Sequence, residues 1–314
     1  MKKIAFVFPG QGSQTVGMGK ELYERFATAK AVFDAADEAL GFSITDLCFN
    51  GPEDELRKTF NTQPAILTVS IACYEVLKEH GIKPDIVAGH SLGEYSALVV
   101  AGALSFADAV RLVRKRGQLM QEAVPLGEGS MAAILGLDRQ VVIDICAQAQ
   151  AEFGAVQAVN FNCPGQIVIA GKKAAVEKAA EMLKTAGAKR AIMLPVSAPF
   201  HSTLMKPAAE KLALELQAIT VSDAEIPVVA NIHGQMITNS QEIEKSLVEQ
   251  ADHPVEWEQC VAQIVQFGAT TFVEVGPGKV LSALSKKITK EVDSLNVEDR
   301  ISLEKTLDYF KEVN

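Results

Sequence analysis

The sequence has little that would suit it to nucleic acid or to a membrane. Its 314 residues include 30 Lys and Arg against 39 Asp and Glu, a formal net charge of −9, whereas nucleic-acid binding depends on a basic surface. No apolar run approaches the roughly 20 residues that cross a bilayer. We therefore expect neither a nucleic acid nor a membrane as a partner.

Cysteine is also scarce, and its spacing matches no disulfide framework or zinc site. The cysteines contain no CxxC pair and are odd in number, and both features are unusual for disulfide-stabilised or zinc-binding chains. They are Cys48, Cys73, Cys146, Cys163 and Cys260. This usage fits a reducing compartment, so we expect a cytoplasmic protein without a metal site.

The N-terminus begins like a signal peptide but has too few apolar residues to be one. The apolar stretch runs only from Ile4 to Phe8 before Pro9 and Gly10, whereas a signal peptide has an apolar region of about 7–15 residues. We interpret Lys3–Phe8 as a buried first strand.

Short apolar runs alternate with longer helical patterns through most of the chain. The runs, each bounded by Gly, Pro or Asp, are Ile4–Phe8, Ile86–Ala88, Ile226–Ala230 and Thr271–Val275. The helical stretches between them include Pro64–Glu79, Leu92–Ala101, Phe106–Gln121 and Ala208–Gln217. Strands separated by helices predict an α/β fold with a mostly parallel sheet that helices cover on both faces.

The middle of the chain follows a different order: strand, helix, strand, strand, helix, strand. The predicted elements are Met131–Leu135, Asp138–Ala149, Val156–Asn160, Gln166–Ala170, Ala174–Ala186 and Arg190–Pro195. This βαββαβ order is typical of a ferredoxin-like module, and Asn-Cys-Pro-Gly at 162–165 is suited to the central turn. We predict a small domain at 125–197, inserted in a large domain formed by 1–124 and 198–314.

A candidate nucleophile lies where the second apolar run ends. Gly89-His90-Ser91-Leu92-Gly93 is a GxSxG sequence between a predicted strand and a predicted helix, the context of a nucleophile elbow. Such a turn exposes the serine hydroxyl and leaves the next backbone N–H free to stabilise an oxyanion. GxSxG can also occur by chance in a glycine-rich loop, but the strand and helix around it favour Ser91 as a nucleophile.

A serine nucleophile needs a base, and five histidines are candidates. His201 lies at the second predicted crossing between the domains, where ligand sites concentrate, and it is the strongest candidate. The other four have simpler interpretations. His80 ends a helix, His90 points away from Ser91 and packs, and His233 and His253 lie in surface turns.

Arg116 departs from the polar pattern of its helix. At 100° per residue, Leu112 and Met120 share its apolar face, whereas Arg111, Arg114, Lys115 and Gln118 lie opposite. An inward guanidinium must be paired or must bind a ligand. Two interpretations are open. In the first, Arg116 is structural, either as an internal bridge to a carboxylate or as a snorkelling side chain; in the second, it binds a substrate carboxylate in bidentate geometry.

Two further features are less specific. Pro-Gly-Gln-Gly-Ser-Gln at 9–14 follows the first strand and is either an ordinary turn or a source of backbone N–H donors near Ser91. Residues 165–197 carry six basic side chains against two glutamates. This surface is either simply solvated or faces an acidic partner or a phosphorylated ligand.

Several long sequences, in order along the chain, resemble one family. They are FPGQGSQTVGMG at 8–19, TQPAILT at 62–68, GHSLGEYSALV at 89–99, RGQLMQEAVP at 116–125, VNFNCPGQIVIAG at 159–171, LPVSAPFHS at 194–202, HPVEW at 253–257, EVGPGKVLS at 274–282 and LNVEDRISLEKTL at 295–307. From end to end, the chain resembles the bacterial malonyl-CoA–acyl carrier protein transacylases of fatty-acid synthesis.

The resemblance implies an α/β-hydrolase-like large domain with an inserted ferredoxin-like subdomain. It implies that Ser91 is acylated, that His201 is its base, and that Arg116 holds the malonyl carboxylate. The residues with supporting roles are Gln11 and Leu92 (backbone N–H groups of the oxyanion hole), Gln250 (a backbone carbonyl that orients the histidine) and Phe200 (selectivity against branched substrates).

The resemblance implies no cofactor beyond the substrates, malonyl-CoA and phosphopantetheinylated acyl carrier protein. We expect the carrier protein to dock near Lys172, Lys173, Lys189 and Arg190, and the chain to be a monomer. Two rival functions remain open at this point: a serine thioesterase or esterase, and a non-catalytic module that docks a carrier protein.

Overall fold

The structure is a computed structural model that describes residues 2–196 and 198–313. The first part of the chain forms two strands of the larger sheet and seven helices. These are β1 (Lys3–Phe8), α1 (Lys20–Arg25), α2 (Ala27–Leu40), α3 (Ile44–Asn50), α4 (Glu53–Leu56), α5 (Thr59–Glu79), β2 (Ile86–Gly89), α6 (Leu92–Val100) and α7 (Phe106–Glu122).

The middle of the chain forms a separate small sheet with two helices. Its elements are β3 (Gly129–Leu135), α8 (Arg139–Phe153), β4 (Val156–Cys163), β5 (Gln166–Lys172), α9 (Lys173–Thr185) and β6 (Arg190–Met193). The chain then returns to the larger sheet with α10 (Lys206–Leu216), β7 (Val228–Val229), β8 (Met236–Ile237), α11 (Ser240–Gln250), α12 (Trp257–Gln266), β9 (Ala269–Val275), α13 (Val280–Ile288), β10 (Asp293–Val297) and α14 (Arg300–Val313).

The larger sheet has the order β10-β9-β1-β2-β7-β8, and every pair except β7–β8 is parallel. Alternate residues of the central strand β1 enter different apolar clusters. Phe6 and Phe8 pack on one face of the sheet, and Ala5 and Val7 pack on the other. Both faces are therefore buried, as the unbroken apolar run of a parallel strand predicts.

The small sheet is wholly antiparallel, with the order β4-β5-β3-β6. In this arrangement β5 lies between β3 and β4, the strands that flank α8, which is the split βαβ arrangement of a ferredoxin-like module. The predicted fold class, a mostly parallel sheet plus an inserted ferredoxin-like sheet, is confirmed. The proposed domain boundaries stay a prediction, and residue 197, where the insertion is predicted to end, lies outside the described residues.

Main-chain hydrogen bonds join β4 of the small sheet to the segment before α12, and Glu256 N of that segment donates to Asn231 O (2.8 Å), in the loop after β7. Val255, which precedes α12, donates its N–H to Val159 O (2.8 Å) and accepts from Phe161 N (2.9 Å). Beside this bridge, both Arg139 Nη atoms lie 2.6 Å from the Glu256 carboxylate. The strand β4 is thereby fixed against the carboxyl end of the larger sheet, and the space between the sheets becomes a cleft.

Most predicted elements differ from the structure by up to four residues at their ends, and two differ in a way that has a physical cause or changes the sheet. The strand predicted at Ile226–Ala230 forms ladder pairs only at Val228–Val229. The helix predicted from Pro64 begins at Thr59, with the proline inside it. Proline lacks the N–H that would bond Phe60 O, and Arg114 Nη1 approaches that carbonyl at 3.5 Å. Arg114 is consequently half-buried rather than fully solvated as predicted.

The cysteines are free and buried at all five positions. Within residues 2–196 and 198–313, no helix combines the length and the apolar content that crossing a membrane requires.

Candidate active site

Ser91 lies in a strained turn between β2 and α6. Its φ of 52° and ψ of −108° are unusual for a residue with a side chain. The flanking glycines permit this turn because the backbone is tightly packed around them. A Cβ at Gly89 would lie 1.9 Å from Gly93 O, and a Cβ at Gly93 would lie 2.0 Å from Phe8 O. The GxSxG pattern is thus required by main-chain contacts on both sides of Ser91.

The structure brings Ser91 and His201 together across 110 positions of sequence. Ser91 Oγ lies 2.7 Å from His201 Nε2, and His201 Nδ1 lies 2.7 Å from the backbone carbonyl of Gln250. Because a carbonyl only accepts, Nδ1 must carry the proton, which leaves Nε2 free to accept from the serine hydroxyl. This tautomer is the one that a general base requires.

His201 is buried and neutral. Burial lowers the pKa of its imidazole to about 3, and the positive charge of Arg116 acts in the same direction. The histidine also has a left-handed backbone, with φ at 63°. Among the described residues, Ser91 and His201 are the two non-glycine positions with positive φ, and such strain concentrates at functional sites.

Arg116 extends from the apolar face of α7 to Ser91. It is only 2% exposed. Its Nη2 donates to Ser91 Oγ (3.2 Å) and to Gln250 Oε1 (2.9 Å), and its Nη1 donates to Gln63 Oε1 (2.8 Å). In the described part of the chain Arg116 makes no direct ion pair, and its Nε has no partner. The guanidinium is therefore held by neutral oxygens, and its charge is not cancelled by a contacting carboxylate.

The backbone N–H groups of Gln11 and Leu92, which the resemblance assigns to an oxyanion hole, both belong to residues of the cleft. Leu92 N begins α6 directly after the nucleophile, and Gln11 follows β1, the strand adjacent to β2. In the described residues neither amide donates to a protein acceptor. Gln11 and Leu92 both line the cleft that contains Ser91. Free N–H groups at such a position are suited to stabilise developing negative charge.

The cleft has a volume of about 340 Å³ and lies between the two sheets. The larger sheet contributes the Ser91 side, and the small sheet contributes an opposite wall that is apolar in one part and polar in another. The wall residues from β3, β4 and β5 are Met131, Ala133, Asn160, Asn162, Gln166 and Val168. Phe200, which is 9% exposed, also lines the cleft next to His201.

The other histidines are not in contact with Ser91 Oγ. His80 caps the end of α5, and His233 and His253 are exposed, as predicted. His90 differs in part from its prediction. It packs against Trp257 and its Nε2 lies 2.8 Å from Asn162 Oδ1, but it also lines the cleft.

Sequence reasoning missed several polar residues around Ser91. Asn231 Oδ1 accepts from Ser91 N (2.7 Å), and Asn231 Nδ2 donates to Gly89 O (2.7 Å). Asn231 follows β7, which pairs with β2 in parallel. Because the carboxyl ends of adjacent parallel strands meet at one edge, this position could have been found from the topology. Gln63 and Glu94 stood in quoted motifs, but nothing in the sequence assigned them a role.

Comparison with known proteins identifies the family. The model of the acyl transferase domain matches residues 5–308. The chain belongs to the acyl transferase family. The chain is 53% identical to the malonyl CoA-acyl carrier protein transacylase of Bacillus subtilis (strain 168), covering 100% of this chain and 99% of the relative.

Solved structures of the acyl transferase family have the same fold as this chain. An acyl carrier protein S-malonyltransferase from Vibrio cholerae has a TM-score of 0.94 and 48% identity, covering 97% of this chain and 99% of that one. A malonyl-transacylase solved in complex with its type II PKS acyl-carrier protein has a TM-score of 0.95 and 45% identity, covering 98% and 99%.

Proposed function

We propose that this acyl transferase moves the malonyl group from malonyl-CoA to the phosphopantetheine thiol of acyl carrier protein, in fatty-acid synthesis. The observation that carries the proposal is the 3.2 Å contact between Arg116 Nη2 and Ser91 Oγ. A buried cation beside the nucleophile can hold the free carboxylate of a short dicarboxylic acyl group while its thioester carbonyl reaches the serine. No cofactor takes part in this scheme.

In the first half-reaction, Ser91 Oγ attacks the thioester carbonyl carbon as its proton passes to His201 Nε2. The carbonyl oxygen gains negative charge, which the N–H groups of Gln11 and Leu92 stabilise. The C–S bond then breaks, and the coenzyme A sulfur takes the proton from His201. A malonyl ester on Ser91 remains, with its carboxylate on Arg116.

In the second half-reaction, the pantetheine thiol of the carrier protein gives its proton to His201 Nε2. Its sulfur attacks the ester carbonyl carbon, and the bond to Ser91 Oγ breaks as the oxygen recovers a proton from His201. The backbone carbonyl of Gln250 keeps the imidazole in one orientation in both steps and stabilises its charged form. Phe200, next to His201, narrows the cleft, and we assign it the exclusion of acyl groups that branch at the central carbon.

The docking surface for the carrier protein is part of this proposal. All four predicted basic residues are exposed, but they form two pairs. Lys172 pairs with one end of β3, and Arg190 pairs with the other, about 20 Å away at 3.4 Å per residue. Of the two ends of β3, only the one that pairs with Arg190 also pairs with Gln166, a residue that lines the cleft. We therefore assign docking to Lys189 and Arg190 rather than to Lys172 and Lys173.

The experiment that tests the function is an intact-mass measurement after incubation with malonyl-CoA. We expect a malonyl adduct on the wild-type chain that disappears when carrier protein is added. Free malonate that accumulates with released coenzyme A would instead favour a thioesterase. The absence of any adduct would favour a non-catalytic docking module.

We further propose that the protein acts as a cytoplasmic monomer. The five free, buried cysteines support a reducing compartment. Sedimentation of the purified chain with and without carrier protein tests the monomeric state.

A further inference from the structure

Glu94 is a buried acid that the proposed mechanism does not use. It lies in the first turn of α6, three residues after Ser91, and its side chain is 0% exposed. Its carboxylate accepts three hydrogen bonds: from Gln250 Nε2 (2.7 Å), from Asn231 N (3.1 Å) and from Ser246 Oγ (3.4 Å). Three donors that converge on one carboxyl group favour its charged form.

The side-chain amide of Gln250 connects this acid to Arg116. Its Nε2 donates to Glu94, and its Oε1 accepts from Arg116 Nη2 at 2.9 Å. The orientation of this amide is fixed, because a reversed amide would place donor against donor at the guanidinium. The backbone N–H of Asn231, which cannot reverse, requires an acceptor at the same oxygen of Glu94.

The charges at the two ends of this chain of hydrogen bonds influence each other. Burial lowers the pKa of Arg116, and the negative charge of Glu94 opposes that change. Burial raises the pKa of Glu94 to about 7, and its hydrogen bonds and the charge of Arg116 oppose the rise. Each ion thus reduces the cost of burying the other, although they are not in contact.

We propose that Glu94 is the counter-charge of Arg116 and that the side-chain amide of Gln250 lies between the two charged groups. The guanidinium is thereby stabilised when no substrate is bound, yet it stays free to bind the substrate's carboxylate. A carboxylate in direct contact would stabilise Arg116 more but would compete with the substrate. Without a counter-charge, the buried cation would destabilise the folded chain. Glu94 is in this view a positioning residue, and the inference rests on the proposed role of Arg116.

Two variants separate charge from hydrogen bonding. In Glu94→Gln the new amide oxygen can accept from Gln250 and Asn231, and its NH₂ can donate to Ser246 Oγ, so only the charge is lost. In the double variant Glu94→Gln/Gln250→Glu the same charge returns, but in direct contact with Arg116. The net charge of the double variant equals that of wild type.

The proposal predicts that loss of the Glu94 charge lowers stability but not selectivity for malonyl over acetyl groups. At pH 8, where Glu94 is ionised, we expect Glu94→Gln to lower Tm by about 3 °C or more and to leave the malonyl-to-acetyl ratio of kcat/KM equal or higher. We expect the double variant to lower that ratio at least tenfold, because its carboxylate contacts Arg116 and competes with the substrate. Acetyl-CoA has no free carboxylate, so its kcat/KM reports any general damage to Ser91 or His201.

Ser246→Ala is the matched control. It removes another donor to the same carboxylate but leaves the Gln250 bridge intact, so the ratio should stay within twofold of wild type. A fall in the ratio of fivefold or more in Glu94→Gln would overturn the proposal, as would an unchanged Tm. An unchanged ratio in the double variant would also overturn it. If the double variant does not fold, the single variant still decides.

The failure of this proposal can be distinguished from the failure of the proposed function. If Arg116→Ala itself leaves the malonyl-to-acetyl ratio unchanged, Arg116 does not bind the substrate's carboxylate. If Arg116→Ala collapses the ratio but the double variant does not, only the role of Glu94 is wrong.

Discussion

Replacement of Arg116 by alanine tests the link between geometry and substrate choice. The guanidinium is 2% exposed and lies 3.2 Å from Ser91 Oγ, so a substrate carboxylate bound there would be paired away from water. A hydrogen bond to a charged group contributes about 1.5–3 kcal/mol. At 1.4 kcal/mol for each factor of ten, we expect Arg116→Ala to lower kcat/KM for malonyl-CoA by about 10- to 150-fold.

The assay compares malonyl-CoA with acetyl-CoA, using the same acceptor. Acetyl transfer involves Ser91 and His201 but no substrate carboxylate, so it should fall far less, and the malonyl-to-acetyl ratio should collapse. Arg116→Lys should recover little, because an ammonium group cannot reproduce the planar fork that Gln63 and Gln250 hold in place.

Arg114→Ala is the matched control for Arg116→Ala. Arg114 lies on the same helix and is also partly buried, but it bonds Asn61 Oδ1 at 2.9 Å and stacks over Phe42 instead of facing the cleft. We expect it to leave the ratio unchanged. If Arg116→Ala also leaves the malonyl-to-acetyl ratio unchanged, and Tm and both activities fall in parallel, the reasoning is refuted and Arg116 is a structural residue.

Three further predictions concern the base, the docking surface and pH. Ser91→Ala should abolish the malonyl adduct in intact-mass spectra, and His201→Ala should slow acylation by several orders of magnitude, because the serine then lacks its proton acceptor. Reversal of Lys189 and Arg190 to Glu should raise KM for carrier protein but not for free pantetheine, and added salt should reduce the difference, because exposed charges are screened. The acylation rate should show no loss as pH falls from 7 to 5.5, because the pKa of His201 lies near 3.

Each of these predictions has an outcome that contradicts it. Adduct formation by Ser91→Ala at wild-type stoichiometry would remove Ser91 as the nucleophile. Replacement of Lys172 and Lys173 by Glu, at the far end of β3, is the control for docking. If it raises KM for carrier protein as much as the Lys189 and Arg190 reversal does, docking is not confined to the Lys189 and Arg190 surface. A rate that halves near pH 6.5 in both wild type and Glu94→Gln would show that His201 titrates normally, because the variant lacks Glu94, whose pKa is about 7.

The same pKa has a consequence for stability, with a definite sign. The neutral form of His201 is favoured in the folded chain, so between pH 6.5 and 3 the unfolded chain binds more protons at this site. The contribution of His201 to stability therefore decreases as pH falls through this window. Relative to wild type, His201→Gln should lose less Tm between pH 7 and 5, and an identical loss would contradict the assignment.

Sequence patterns predicted the parts of the site that depend on local structure. The strand, turn and helix around Ser91 are contiguous in the chain, and the period of α7 placed Arg116 inward without knowledge of its neighbours. The ferredoxin-like order of the small sheet also followed from element order. In each case the pattern that carries the prediction lies within one element or in the order of successive elements.

The remaining parts depend on contacts between distant segments. The pairing of His201 with Ser91 spans 110 positions, and the residues alone left other histidines open. The role that we propose for Glu94 could not be found in the sequence, because an acid in the first turn of a helix is ordinary and its hydrogen-bond partners, Asn231, Ser246 and Gln250, are more than 130 positions away. The helix start at Thr59 was missed because proline is typical of the first turn.

The positive φ angles of Ser91 and His201 have a consequence for how this protein can change over time. Backbone strain of this kind costs about 1–3 kcal/mol at each position, a large share of the 5–15 kcal/mol by which a typical domain is stable. Mutational drift toward greater stability would therefore favour glycine at these two positions, where it would also remove the chemistry. Selection for activity must therefore oppose selection for stability at these two positions, and the strain at Ser91 and His201 has to be offset by burial elsewhere, as in the apolar clusters on both faces of β1.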